Sequence, residues 1–161
     1  MPDLTPLAQP VADRLKERKE TISVTESSTG GLISAGLLAI PGASAYFMGG
    51  SVVYTLPSRK KILGITRADV EGMEPLTFEM VSAFAQKARA QLETTWAIAE
   101  LGVAGPTGAR YGHPPGLSVL AVDGPVRLTK LVETGSADRE ENMWAFTQAA
   151  LVLLAEALDQ A

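Results

Sequence analysis

The chain has 161 residues, 46% hydrophobic and 20% charged, with a formal net charge of -4. That size and balance describe one soluble domain with room for a core. The 14 basic and 18 acidic residues form no dense basic block, which argues against nucleic acid as a main partner. No cysteine is present, which excludes disulfides, thiolate nucleophiles and Cys-ligated zinc.

In chain order, residues 5–19 place Leu7, Val11 and Leu15 at helical spacing, with Pro10 marking an early turn or kink. TISVTE then reads as a short buried strand. Gly30 to Ile40 is small and apolar, a helix packed closely on a sheet, ended by Pro41-Gly42. GSVVYT, residues 50–55, reads as a second strand. Pro57 to Leu63 predicts a short basic helix closed by Gly64, and TRADVEGM another short helix behind Thr66. Leu76 to Leu92 predicts an amphipathic helix with Met80, Phe84 and Ala88 on one face.

AIAELGVAG, GLSVLAVDG and VRLTKLVETG are three strand candidates, the last two joined as a hairpin through Asp123-Gly124-Pro125. Ser136 or Asp138 caps a final helix starting near Arg139, with Glu140 and Glu141 in its favourable first turn. Helices and strands alternate early and strands cluster late. This predicts a three-layer α/β/α sandwich with a mixed, mostly parallel sheet, built as one domain over residues 1–161. The N-terminus has no signal-peptide pattern, and the apolar last segment is too short and mixed to span a membrane.

Three segments carry the chemistry-bearing residues. The first is the turn Glu26-Ser27-Ser28-Thr29-Gly30-Gly31, where a strand enters a helix. Unpaired amides, hydroxyls and glycines at such a turn suit an anion. The alternative is an ordinary N-cap with tight helix packing, and Glu26 then points into a hydrogen-bond network. The second is the loop GVAGPTGARYGHPPG, residues 102–116, with Arg110 and the single histidine, His113. Long loops of this kind are often functional, although a lone His is more simply a surface residue. The third is PGASAYFMGGSVVYTLPSRKK, with Ser44, Tyr54, Arg59, Lys60 and Lys61. A serine there acts as a nucleophile only beside a base, and with His113 alone a Ser-Lys or Ser-Tyr pair is the route. No metal-ligand spacing is present.

TESSTGG, PGASAYF, VVYTLPSRKKILGI, GVAGPTG...HPPG and SADR, in that order, resemble the CinA C-terminal domain family. That family's best-known activity is nicotinamide-nucleotide amidohydrolase, which turns nicotinamide mononucleotide and water into nicotinate mononucleotide and ammonia. The resemblance covers nearly the whole chain and points to the stand-alone form. It implies Ser44 as the nucleophile, Tyr54 as the motif tyrosine, and Arg139 as the arginine of the last motif. Glu26, Ser27, Ser28, Thr29, Gly30 and Gly31 form a first ligand loop, and Gly105, Pro106 and Gly108 a second. It further implies a cytoplasmic homodimer acting on a small nucleotide, with no cofactor.

Five departures stand out. Ser28 replaces the family's usual Cys, Leu56-Pro57 an Asn and its neighbour, Ala109 a glycine, and His113 a lysine. Arg59 replaces the lysine thought to activate the serine. Arginine stays protonated in proteins and is a poor base. The resemblance therefore carries two expectations: an amidohydrolase, or a relative that binds a nucleotide without turnover unless Lys60 or Lys61 substitutes.

Overall fold

The computed structural model describes residues 2–161. Its centre is β1, Ile22–Glu26, buried at all five positions. A strand buried on both faces needs neighbours on both sides. It has β2, Phe47–Val52, on one side and β3, Trp96–Val103, on the other, both parallel to it. Beyond β3 lie β4, Leu117–Asp123, and β5, Leu128–Glu133. The five-stranded order is β2-β1-β3-β4-β5.

The sheet is mixed as expected, but not mostly parallel: β3–β4 and β4–β5 are antiparallel. The cause is local. β4 and β5 join through the predicted tight turn at Asp123. β3 and β4 are joined by a loop rather than a crossover helix, so the chain must reverse.

Helices α1 (Thr5–Arg18), α2 (Leu32–Leu38) and α5 (Arg139–Gln160) cover one face. The other face is covered by α4 (Phe78–Leu92), with α3 (Leu56–Lys61) nearby. Each side has its own apolar core. Leu15, Ile22, Tyr46, Trp96 and Leu154 belong to the first, and Val53, Leu63, Phe84 and Leu101 to the second.

Three boundaries moved from the sequence reading. Pro10 neither breaks nor ends α1, which runs through it with Ala8, Val11, Ala12 and Leu15 buried; burial of that face outweighs the one backbone bond proline removes. The second strand lies at 47–52, because Thr55 is taken as the N-cap of α3, accepting from Ser58 N at 3.3 Å. TRADVEGM makes a single 3-10 turn, Ala68–Val70. Final-helix capping is as predicted: the Asp138 carboxylate accepts from Glu141 N at 2.8 Å.

The fold places the site by one simple consequence. Strands β1, β2 and β3 run parallel, so the segments after them emerge at the same sheet edge. Ser27 to Gly31, Val53 to Arg59 and Ala104 to Gly116 meet there, beside the first residue of α5.

Candidate functional site

Two buried glutamates organise this edge. Glu26, at the end of β1, is fully buried. Its Oε1 accepts from Thr29 Oγ1 at 2.6 Å, Gly31 N at 2.9 Å and Ile33 N at 3.1 Å. Its Oε2 accepts from Ser34 N at 3.0 Å and Ser34 Oγ at 2.8 Å. The start of α2 is thus capped from within, and the network reading of Glu26 holds. Glycines are needed at 30 and 31 because the turn there is left-handed, with φ 64° and 101°.

Glu100, on β3, is 1% exposed. Its Oε2 accepts from Ser27 N at 2.9 Å and Thr29 N at 3.1 Å, and lies 3.1 Å from Thr29 Oγ1, whose one proton goes to Glu26 at the shorter distance. Its Oε1 receives Ser28 Oγ at 2.5 Å and Ser118 Oγ at 3.1 Å. Burial pushes the Glu100 carboxyl above its ordinary value; hydrogen bonds from Ser28, Ser27 and Thr29 pull the other way, and the Glu26 charge adds to the rise.

These contacts correct the anion-site expectation for the first turn. The amides of Ser27, Thr29, Gly31, Ile33 and Ser34 already serve the two carboxylates. A ligand phosphate would have to displace a buried acid to use them.

The open space lies beside this turn. A cleft of about 380 Å³ is lined by Ser27, by Tyr54 and Arg59 from the segment after β2, by Thr107, Arg110 and Tyr111 from the loop after β3, and by Arg139. Three guanidiniums and no carboxylate side chain line it, in a protein of net charge -4. Walls of one sign concentrate the opposite sign in solution.

Arg59 is half-buried, with its Nε 3.3 Å from Val53 O and its guanidinium carbon 5.4 Å from the Phe84 ring centroid. Burial lowers its pKa, while Tyr111 and Glu100 act to raise it; arginine nonetheless remains a cation. Arg139 donates from Nη1 to Gly105 O at 2.5 Å and from Nη2 to Tyr54 Oη at 3.0 Å. It therefore ties three chain segments together around the cleft.

Of the residues predicted from sequence, Ser27, Tyr54, Arg59, Gly105, Gly108 and Arg139 line this cleft, whereas Glu26, Ser28, Thr29, Gly30, Gly31 and Pro106 do not. Ser44 is placed elsewhere. It is exposed in the 3-10 turn Ala43–Ala45, before β2 begins. Since β1 and β2 are parallel, Ser44 sits at the opposite sheet edge, a strand length or about 20 Å from the cleft. Within one chain it does not meet Tyr54 or Arg59. Lys60 and Lys61 are exposed and outside the cleft lining, because successive helical positions turn by about 100°. The His113 ring packs edge-on to Tyr111 with centroids 6.5 Å apart, and its buried Nδ1 has no partner among the described residues.

Sequence reasoning missed Glu100 and Asn142. A lone acid inside AIAELGV was the available signal, since an unpaired charge rarely occupies a buried strand. Asn142 is fully buried. It donates to Ala104 O at 2.8 Å and Ser136 O at 2.9 Å, and accepts from Thr134 Oγ1 at 2.5 Å. It pins the loop after β3 to the start of α5. Among the described residues, no three His, Asp or Glu side chains gather to hold a metal ion, and no helix is long and apolar enough to cross a membrane.

Fold and site together define a class: three-layer α/β/α domains with a mixed sheet and a cationic cleft where the parallel strands end. Residues 4–158 match the family model described as the CinA C-terminal domain, and the chain belongs to that family. A CinA-like protein of Prochlorococcus marinus is 41% identical over 119 residues, 74% of this chain and 28% of its own. A protein of Halothermothrix orenii described as competence-damage inducible is 35% identical over 155 residues, 94% of this chain and 37% of its own. The chain thus spans about a third of the length of these curated relatives. Among solved structures, the competence/damage inducible protein CihA of Agrobacterium tumefaciens superposes with a TM-score of 0.88 at 29% identity, covering 99% of this chain and 98% of that one. A CinA superfamily protein of Klebsiella pneumoniae reaches a TM-score of 0.90 at 23% identity, with 99% and 100% covered, a likeness of fold alone.

Proposed function

We propose that this cleft binds a small phosphorylated ligand of the nicotinamide-nucleotide type. The observation that carries the reading is the lining: Arg59, Arg110 and Arg139 with no acid opposite them. Guanidinium forks suit phosphate oxygens. Tyr54 and Tyr111 offer flat faces to an aromatic base, and the Ser27 hydroxyl, without a hydrogen-bond partner among the described residues, is free for a ribose or amide group. Calorimetric titration with nicotinamide mononucleotide and with nicotinamide riboside tests it. The mononucleotide should bind at least about tenfold tighter, one charge-assisted contact being worth about 1.5–3 kcal/mol. Equal affinities, or none for either, would sink the phosphate reading.

A second reading adds turnover: hydrolysis of the ligand's carboxamide to a carboxylic acid and ammonia. Ser44 and Arg59 do not supply it within one chain, for the reasons of place and charge given above. The favouring observation is the cluster of serine hydroxyls around Glu100 beside the cleft. Ammonia release from nicotinamide mononucleotide is the direct assay, and a homodimer in a cytoplasmic setting belongs to the same proposal, with light scattering as its check.

A further inference from the structure

A smaller recess of about 180 Å³ adjoins the cleft. The two share Leu56, Arg59, Gly102, Val103, Ala109 and Tyr111, and are therefore contiguous. Beyond these the recess is lined by Pro75, Leu76, Met80 and Leu101, all apolar. Arg59 is its single charged side chain. Where the cleft offers guanidiniums, the recess offers hydrocarbon.

The backbone at Leu76 is unusual. Among the described residues, Lys19, Leu76 and Glu93 have a left-handed backbone without being glycine. Lys19 and Glu93 follow the last turns of α1 and α4, where that conformation ends a helix. Leu76, at φ 55°, ends none. It stands between Pro75 and Thr77, the N-cap of α4. A turn with proline followed by a left-handed residue ordinarily has glycine second, because a Cβ there crowds the backbone. The Thr77 hydroxyl holds the turn, donating to Glu74 O at 2.9 Å and accepting from Met80 N at 3.3 Å. Glycine at 76 would make this turn with less strain but would present nothing to the recess. The leucine side chain packs on the second core and lines the recess as well. Strain kept beside a cavity points to a use there.

We propose that the recess is a subsite for one uncharged ring of a phosphorylated ligand, and that Leu76 sets its specificity. This rests on the phosphate reading of the cleft and adds a ligand class to it: phosphate monoesters carrying an apolar ring. The phosphate goes to Arg110 and Arg139, which line the cleft and not the recess. The ring goes among Pro75, Leu76, Met80 and Leu101, against Arg59. Phe84 already lies 5.4 Å from the Arg59 guanidinium carbon and is no part of the recess lining. Arg59 therefore meets the recess with another part of its side chain. A neutral ring is attracted to that cation, and a cationic ring is repelled by it. A pyridinium, as in nicotinamide mononucleotide, draws no such gain from the recess and keeps to the cleft.

The test uses the full chain, isotope-labelled at its methionine methyl groups and followed by NMR. The Met80 signal is assigned by its loss in Met80→Leu. The chain is titrated with phenyl phosphate, methyl phosphate and benzyl alcohol. Phenyl phosphate should shift the Met80 methyl by its ring current and bind at least about tenfold tighter than methyl phosphate. Leu76→Gly, with its folded circular-dichroism spectrum retained, should cut that ratio at least about threefold and leave methyl phosphate affinity alone. If this variant fails to fold, the Met80 shift and the affinity ratio of the wild type decide. Phenyl phosphate no tighter than methyl phosphate, a Met80 signal unmoved at saturation, or a Leu76→Gly variant with the wild-type ratio would each overturn the subsite, while methyl phosphate binding keeps the phosphate reading. Benzyl alcohol that shifts Met80 and binds as tightly as phenyl phosphate would support the ring site and overturn the phosphate reading instead.

Discussion

The segments after β1 and β3 look alike in sequence, both small, polar and rich in glycine, yet the structure uses them in opposite ways. Ser27 to Gly31 is closed: the amides of Ser27, Thr29 and Gly31 end on Glu26 and Glu100, two buried acids. Ala104 to Gly116 is open and supplies Thr107, Arg110 and Tyr111 to the cleft. A glycine-rich turn at a helix start is thus no guarantee of an anion site. What decides is whether the chain carries its own carboxylate to fill it. Here the positive groups left for a ligand are side chains.

That contrast can be broken at several points, the largest effect being on the closed segment. Glu26→Ala removes an acceptor shared by Thr29, Gly31, Ile33 and Ser34 and leaves buried donors unpaired. Urea denaturation should show a loss of about 3–5 kcal/mol; a loss below about 1 kcal/mol would mean the turn holds without its internal acid. On the open side, Arg139→Ala should weaken nicotinamide mononucleotide by about tenfold or more while barely moving the urea midpoint. Equal damage to both would recast Arg139 as part of the scaffold.

A pH series sharpens the same comparison. Burial holds the Glu100 carboxyl above the value of an unfolded chain, about 4.3 for glutamate. In the interval between the two values the folded state keeps a proton that the unfolded state has released. Stability from this group is therefore complete below the unfolded value and is lost as pH rises through the folded one. Thermal melts should show the wild type losing ground to Glu100→Gln as pH increases; a constant gap would show that Glu100 does not titrate in the folded protein. The smallest effect belongs to Ser44→Ala. At an exposed turn on the far edge it should change stability by no more than about 0.5 kcal/mol and leave ligand affinity alone. A loss of binding or turnover would mean that a second copy brings Ser44 to the cleft.

Much of the fold was legible from periodicity and punctuation. The β4–β5 hairpin, the α4 stripe and the Asp138 cap all follow local rules, and local rules survive folding. The course of α1 through Pro10 was not legible, because it depends on what Val11 and Leu15 pack against. The site was legible in part. Tyr54, Arg59 and Arg139 fall on motifs that the topology gathers. Ser44 falls on a motif too, but its distance from them follows from the parallel pairing of β1 and β2, which no short segment encodes. Glu100 was hidden for another reason: its partners Ser28 and Ser118 come from separate strands and turns, so its meaning appears only when the sheet is assembled.

Asn142 carries a further consequence. It holds the Ala104 carbonyl and the 134–136 segment with both donors and its acceptor engaged. Aspartate would bring no donor, and leucine would strand three polar groups. The frame around the cleft is thus secured from beneath, by a side chain that never faces solvent. Arg110 and Tyr111, both exposed, lie outside this anchor, so a substitution at either leaves its three hydrogen bonds in place.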